Sequence, residues 1–441
     1  MKRIISILLN ILVGVVLAYS QSGIWSGDLE VQGNKLPIVF HLDDDKPVMD
    51  SPSQGVKGIP IQITREAPVG ITINIPVIGA SFKGVSVGDK ILGKFTQSGM
   101  TFPLTLIPGE KLTIRPQTPK PPYPYSLEEV SFTNGDAVLK GTLTLPEGVS
   151  KDTPVVIMVT GSGLQNRDEE IFDHKPFAVI ADALARNGIA SLRYDDRGFG
   201  ESTGDAVNCT TEDLMKDALA GIDLLRKRFN KVGVLGHSEG GTIAFMLGAD
   251  NKVDFIVSLA GMIVSGKETL LDQNRYALSK AGYPKQVVDE YCGLLTLAFD
   301  GDDSIIKKLD ASNLPTELKQ NIQVGLGQLK TPYMQYFLGL DLRDRLGKVA
   351  CPVLALNGTK DTQVSYDNNL GALNKGLPSN SSNKIMSLDS LNHLFQHCET
   401  GSSIEYATIE ETISHEVLDI ITQWIKSLKD IYNYQLNFRK L

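Results

Sequence analysis

The sequence predicts an α/β fold built on a mostly parallel sheet, preceded by a smaller all-β domain. Three observations along the 441-residue chain support this division. Short alternating polar and apolar runs recur up to about residue 118, a proline-rich stretch follows, and from about residue 127 apolar strands alternate with helical patterns. That alternation is typical of a parallel sheet covered by helices on both faces. The chain is also long enough for two or three domains.

The first 20 residues have the form of a secretory signal peptide. Met1-Lys2-Arg3 gives a basic start, and an apolar run from Ile4 to Ala18 follows. Small residues at Ala18 and Ser20 predict cleavage after Ser20, and hence a periplasmic or secreted protein. An uncleaved anchor is the alternative, but this run is short for a membrane span, and no later segment is long and apolar enough for one.

Residues 21–118 are expected to form a small barrel or sandwich, because short alternating strands are separated by glycine, asparagine or proline turns. The histidine of this region, His41, is followed by the acidic run 43–45. Clustered carboxylates could bind calcium, but a solvated turn is the simpler interpretation. Five prolines between residues 116 and 124 then predict a semi-rigid linker over residues 119–126.

Residues 127–430 are expected to form the α/β domain, and residues 431–441 a tail. The domain should begin with a hairpin that turns at Asn134-Gly135. Strands are expected at 155–159, 189–194, 232–235, 255–259, 352–356 and 384–388, and helices at 177–186, 212–228, 242–247 and 416–428. From about residue 261 to 350 helical patterns occur without a strand. An insertion between strands lies at the sheet edge where ligands bind, so we expect a cap there.

The composition argues against some classes of partner. The formal net charge is -8 and there is no basic run, so nucleic acid is not an expected partner. The four cysteines do not have metal-ligand spacing. In an exported protein they could form disulfides, but buried thiols are an equally good interpretation, and the sequence leaves any pairing open for Cys209, Cys292, Cys351 and Cys398.

Three serines lie in the pattern G-x-S-x-G, namely Ser86, Ser202 and Ser238. Such a serine can act as a nucleophile when it follows a buried strand and opens a helix, which exposes its hydroxyl at the top of a sheet. Ser238 alone has this setting, because the apolar run 231–235 precedes it and the helical run 240–247 follows it.

A serine hydroxyl needs a general base to remove its proton, and the base needs an acid that fixes its tautomer. In this architecture the chain order is serine, acid, histidine. Asp361 follows the strand at 352–356, and His393 follows the last strand. His397 is the rival base. A zinc site on these two histidines would lack the glutamate of a metalloprotease helix between them, so no metal is expected.

The oxyanion of such a reaction needs backbone N–H donors. One is expected from Glu239, directly after the nucleophile, and the other from the glycine-rich loop after the strand at 155–159. Ser162 is the first choice there and Gly163 the second, although the loop could be a simple flexible turn. Three aromatic residues at the end of the cap could line a substrate pocket or belong to the cap core, namely Tyr333, Tyr336 and Phe337.

Five motifs in order carry a family resemblance: Gly161-Ser162-Gly163 with Asn166–Glu169, Tyr194–Ser202, Gly236–Gly241, Asn357–Asp361 and Asn392–Gln396. Together, over residues 127–428, they resemble the α/β-hydrolase fold and, more narrowly, exported bacterial esterases close to the serine aminopeptidase group. The β domain resembles the amino-terminal extension of similar hydrolases.

This resemblance implies that Ser238 is the nucleophile, Asp361 the orienting acid and His393 the base. It also implies that the loop at 198–202 is structural. One departure is that the oxyanion loop begins Thr160-Gly161, where many relatives have His-Gly.

The sequence therefore predicts a serine hydrolase, foremost a carboxylesterase that cleaves short-chain esters through an acyl-enzyme on Ser238. A small ester or short peptide-like molecule is the expected partner, with no cofactor, and the oligomeric state is open. An aminopeptidase or amidase is the second hypothesis; it would need a carboxylate for the substrate amine, for which Glu169, Glu170 and Glu239 are candidates. The third is a non-catalytic protein whose β domain binds a glycan or peptide.

Overall fold

The computed structural model describes residues 21–31, 34–43, 45–52, 56–66, 69–109 and 115–438. The expected signal peptide, residues 1–20, lies outside the described residues. The chain divides into two compact units after Thr113, with the short segment Tyr406–Thr408 grouped with the first unit. Within the described residues, no helix combines the length and the apolar character needed to cross a bilayer.

The described residues of the first unit form β-strands, as the alternating pattern predicted. Its nine strands form one antiparallel sheet in the order β4-β3-β2-β1-β9-β8-β7-β6-β5. The rings of Phe40 and Phe82, from opposite halves of the sheet, lie 5.9 Å apart in one apolar core. The sheet therefore curves around this core like a barrel. The strands are β1 Ile24–Val31, β2 Asn34–His41, β3 Val48–Ser51, β4 Val56–Pro60, β5 Gln62–Glu66, β6 Gly70–Ile75, β7 Ala80–Val87, β8 Lys90–Gln97 and β9 Met100–Pro108.

The second unit has the eight-stranded sheet of an α/β-hydrolase, in the order β10-β11-β13-β12-β14-β15-β16-β17. The first two pairings, β10 with β11 and β11 with β13, are antiparallel, and the others are parallel. The strands are β10 Tyr125–Asn134, β11 Ala137–Pro146, β12 Val155–Val159, β13 Ala190–Tyr194, β14 Val232–His237, β15 Ile256–Leu259, β16 Val353–Gly358 and β17 Lys384–Leu388. The predicted fold class is confirmed.

Two apolar layers cover this sheet, because successive side chains of each buried strand point to opposite faces. Ile157 packs with helices α2, α3 and α9, whereas Met158 packs with α1 and α10. These helices are α1 Pro176–Arg186, α2 Thr211–Arg226, α3 Glu239–Ala249, α9 Tyr366–Gly376 and α10 His415–Phe438. The last helix continues past its expected end at residue 428 and through most of the expected tail, because no glycine or proline follows to stop it.

A helical insertion separates β15 from β16, at the position expected for a cap. All of its helices but the last pack around a shared apolar cluster, which includes Tyr291, Leu309 and Leu318. The first of them begins with a capping box in which Ser265 and Glu268 each accept a backbone N–H of the other. The helices are α4 Gly266–Lys280, α5 Lys285–Phe299, α6 Ile305–Ala311, α7 Thr316–Gln328 and α8 Pro332–Gly339.

Candidate active site

Ser238 lies at the turn between β14 and α3, as its strand-to-helix setting predicted. Its φ of 53° and ψ of -119° place a non-glycine residue in a rarely populated conformation. A Cβ on Gly236 would lie 2.0 Å from the carbonyl oxygen of Gly240, and a Cβ on Gly240 would lie 2.0 Å from that of Val159. Glycine is therefore required on both sides of the serine, which itself stays half-buried at the carboxyl end of the strand.

The two other serines of the same pattern have ordinary structural roles. Ser202 is buried; its hydroxyl donates to the carbonyl of Asp195 and accepts the N–H of Lys140. Ser86 belongs to strand β7 of the first unit and accepts a hydrogen bond from the side chain of Gln21. Neither serine opens a helix.

Asp361 and His393 form a directly bonded pair, although 32 residues separate them. The Asp361 Oδ2 lies 2.7 Å from His393 Nδ1, and both side chains are buried. The other carboxylate oxygen accepts the backbone N–H groups of Gln363 and Val364. The acid is thus fixed by its own loop. His393 Nε2 has no hydrogen-bond partner within the part of the chain that the structure describes, so it is available to a reacting hydroxyl.

The turn that carries His393 is closed by the side chain of Asn392. Its Oδ1 accepts the N–H groups of Leu394 and Gln396, and its Nδ2 donates to Gln396 Oε1. Phe395 has a positive φ of 60°, which completes the reversal. The motif Asn392–Gln396 therefore shapes the turn that holds the histidine.

The loop after β12 runs beside Ser238. A Cβ on Gly161 would lie 3.1 Å from the Cβ of Ser238. The Gly161 N–H already donates to Glu169, whereas the N–H of Ser162 has no acceptor among the described residues. Gly163 has a φ of 93° and is exposed. The Glu239 N–H begins α3, where the first backbone donors have no partner within the helix.

Two acidic residues at the end of β13 hold this loop in place, a role that the sequence did not reveal. Asp196 accepts the Thr160 hydroxyl and the N–H of Gln165, each at 2.8 Å. Asp195 accepts the N–H of Arg167 and pairs with its guanidinium. Burial raises the pKa of Asp196 to about 8, against the opposing effect of these hydrogen bonds.

Glu239, directly after Ser238, points its carboxylate into the protein. One oxygen accepts the Thr211 hydroxyl at 2.6 Å, and the other accepts the Tyr333 hydroxyl of the cap at 2.7 Å. The Tyr333 ring stacks on Phe337, and burial raises the pKa of Tyr333, with the neighbouring Glu239 adding to the rise. Tyr336, expected to join them, instead packs against the main core of the sheet. The structure thus brings Tyr333 and Phe337 together and separates Tyr336 from them.

The other candidate carboxylates for a substrate amine are also engaged. Glu169 is buried and accepts both the Gly161 N–H and the ring of His237. Glu170 is exposed and lies near Lys175 and Asn166. Nothing in the sequence indicated the bond between His237 and Glu169, which spans 68 residues.

His397 does not compete with His393 for the acid. It is largely exposed and pairs with Glu411 at 2.9 Å. In the described residues, no group of three or more histidine, cysteine, aspartate or glutamate side chains is arranged to hold a metal ion. The four cysteines, left open by the sequence, are all free thiols.

Comparison with known proteins agrees with this geometry. The profile of the family described as "Serine aminopeptidase, S33" matches residues 174–397. Esterase EstD of Thermotoga maritima is 31% identical over 309 residues, which cover 68% of this chain and 68% of that one. The chain therefore belongs to the serine aminopeptidase S33 family. It is accordingly a hydrolase of the α/β-hydrolase fold and a homologue of an esterase.

Solved structures with the same fold are more distant in sequence. The proline iminopeptidase of Mycobacterium smegmatis is 14% identical, with a TM-score of 0.44 over 69% of this chain and 100% of that one. The Pf2001 esterase of Pyrococcus furiosus is 16% identical, with a TM-score of 0.43 over 72% of this chain and 99% of that one. The family match itself contains Ser238, Asp361 and His393, whereas the loop with Ser162 and Gly163 precedes it.

Proposed function

We propose that this protein is a serine carboxylesterase that cleaves short-chain esters through an acyl-enzyme on Ser238. The observation that carries the proposal is the buried pair of Asp361 and His393 beside the strained serine turn. Asp361 fixes the histidine tautomer, so that Nε2 can accept the serine proton. The esterase name of the Thermotoga maritima relative favours the same reaction class.

In this reaction Ser238 Oγ attacks the ester carbonyl while its proton passes to His393. The N–H groups of Glu239 and Ser162 stabilise the oxyanion, with Gly163 as the alternative second donor. Collapse of the intermediate breaks the ester bond, and His393 protonates the departing alcohol. Water, deprotonated by His393, then releases the acid from Ser238, so that one ester and one water become one acid and one alcohol.

Ester substrates are favoured over aminoacyl amides because the buried carboxylates near Ser238 already accept hydrogen bonds from other groups of the protein. Glu169 already accepts two N–H donors, and Glu239 accepts two hydroxyl groups. A substrate amine would have to displace these partners, which leaves buried groups unpaired at a cost of about 1–3 kcal/mol each.

The test compares the wild type with Ser238→Ala, using a fluorophosphonate probe, nitrophenyl acetate and an aminoacyl nitroanilide. We expect labelling and ester turnover in the wild type and neither in the variant, with Ser202→Ala as the control that keeps its labelling. Unchanged labelling of Ser238→Ala would refute the nucleophile. Amide turnover above ester turnover would favour an aminopeptidase, and no turnover at all would favour a binding protein.

A further inference from the structure

The ring of His237 lies between the backbone carbonyl of His393 and the carboxyl group of Glu169, which in its ionised form only accepts hydrogen bonds. Its Nδ1 is 2.9 Å from Glu169 Oε1, and its Nε2 is 2.9 Å from the backbone carbonyl oxygen of His393. A neutral imidazole has one N–H donor and one bare nitrogen, whereas the imidazolium has two donors. With an ionised Glu169, both hydrogen bonds can form together only when both ring nitrogens carry a proton.

The surroundings of His237 supply the charge that this state requires. The ring and the Glu169 carboxylate are both buried, so an isolated charge on either would be costly. Burial alone lowers the pKa of His237, but the carboxylate and its hydrogen bond outweigh this and raise the pKa above its ordinary value. Asp361, which is hydrogen-bonded to His393 Nδ1, also raises the pKa of His237. The ring of His393 itself lies 4.7 Å away, centroid to centroid.

The same carboxylate oxygen also holds the oxyanion loop. Glu169 Oε1 accepts the N–H of Gly161 at 2.8 Å, in addition to His237. A Cβ placed on Gly161 would lie 3.1 Å from the Cβ of Ser238, so this part of the loop is next to the serine. A continuous chain of hydrogen bonds therefore runs from the oxyanion loop, through Glu169 and His237, to the backbone of the histidine base.

We propose that His237 is a doubly protonated positioning residue which, with Glu169, fixes the oxyanion loop and the His393 loop relative to Ser238. This inference rests on the proposed function, because it assigns His237 and Glu169 to the same reaction without contact with substrate. With a neutral ring that keeps its proton on Nδ1, toward Glu169, the bare Nε2 would face the carbonyl oxygen of His393, and their repulsion would loosen the base.

The charge state is tested directly by nitrogen NMR of the 15N-histidine-labelled wild-type protein at neutral pH. The signals of His237 are assigned by their loss in His237→Gln. We expect both ring nitrogens of His237 to show the 15N chemical shifts of an imidazolium. A solvent-exposed histidine shows these shifts only in acid. A neutral His237 in the wild type would overturn the proposal.

The positioning role is tested with Glu169→Gln. The glutamine oxygen can still accept from Gly161 and His237 Nδ1, so the substitution removes the charge and keeps these two bonds. We expect His237 to become neutral and kcat for nitrophenyl acetate to fall about 10- to 100-fold with KM unchanged, the loss typical of groups that orient a catalytic neighbour. A wild-type kcat in this variant would overturn the proposal.

A matched control exists at the surface, where His397 pairs with Glu411 at the same distance of 2.9 Å. Glu411→Gln should leave kcat and the His237 signals unchanged. Should Glu169→Gln fail to fold, the wild-type spectrum still decides the charge state. Fluorophosphonate labelling separates the two proposals: labelling of Ser238→Ala refutes the esterase site, whereas the His237 spectrum does not depend on turnover.

Discussion

Three buried or half-buried carboxylates share one task at the scale of single residues. Glu169, Asp196 and Asp195 each accept one backbone N–H of the loop after β12, at Gly161, Gln165 and Arg167 in that order. A loop needs such partners because its backbone donors have no strand or helix to bond. The acidic residues of the motifs Asn166–Glu169 and Tyr194–Ser202 therefore include three that hold this loop in place.

The positions of the proposed catalytic residues after successive strands could be predicted from the sequence, but these supporting partners could not. The order of Ser238, Asp361 and His393 after successive strands is a local signal, visible without knowing any contact. By contrast, Glu169 bonds to His237 across 68 residues and Asp196 to Thr160 across 36. Pairings of this kind depend on how the strands are ordered in the sheet, and a single sequence contains no direct record of that.

The raised pKa of Asp196 predicts a pH-dependent stability. Between about pH 4, where the unfolded carboxyl titrates, and about pH 8, the folded protein keeps a proton that the unfolded chain has released. The free energy of unfolding should therefore decrease as pH rises through this window, by at most about 1.4 kcal/mol per pH unit from this group. Asp196→Asn cannot titrate, so its urea unfolding should be less sensitive to pH.

The measurement is urea unfolding of both proteins at pH 5, 7 and 9. The control is Asp389→Asn, which removes an exposed carboxylate that accepts from Thr359. Parallel pH profiles for the wild type and Asp196→Asn would contradict the prediction, because the titrating group would then lie elsewhere.

At the scale of elements, the strand-to-helix turn tolerates no side chain where its glycines lie. The alternating apolar strands and the turn glycines were predictable, because they follow a short-range period. The sequence predicted a helical cap, but it did not predict the direction in which the cap's side chains point. Its α8 turned out to present Tyr333 and Phe337 on one side and Tyr336 on another. That orientation depends on tertiary packing, which a helical period alone does not determine.

Gly240→Ala tests the turn. The added Cβ would lie 2.0 Å from the carbonyl oxygen of Val159 and 2.6 Å from that of Thr160, both backbone atoms of the neighbouring strand and loop. We expect the free energy of unfolding to fall by about 2–4 kcal/mol, with loss of fluorophosphonate labelling. The control is Gly293→Ala in α5, where nothing lies within 4 Å of the new Cβ and alanine should be neutral or slightly stabilising. Equal stabilities of the two variants would contradict this account.

At the scale of the whole molecule, the chain is two units with separate cores. The proposed catalytic residues and their supporting carboxylates all belong to the second unit. The first unit has its own apolar core around Phe40 and Phe82. Its all-β class followed from strand spacing alone, but its function does not follow from its fold, since folds of this kind serve many roles.

Export of this chain is the remaining proposal at this scale, and it rests on the basic start and apolar run of residues 1–20. Since Lys2 and Arg3 are the charged residues of that segment, its removal changes the formal net charge from -8 to -10. In a bacterial host with a periplasm, we expect the periplasmic protein to begin at Gln21, as measured by intact mass and amino-terminal sequencing. A matched variant, Leu9→Arg with Val13→Arg, interrupts the apolar run and should remain uncleaved in the cytoplasm, because a charged run does not engage the export machinery. A periplasmic protein that still begins at Met1 would contradict cleavage after Ser20 and favour an anchor.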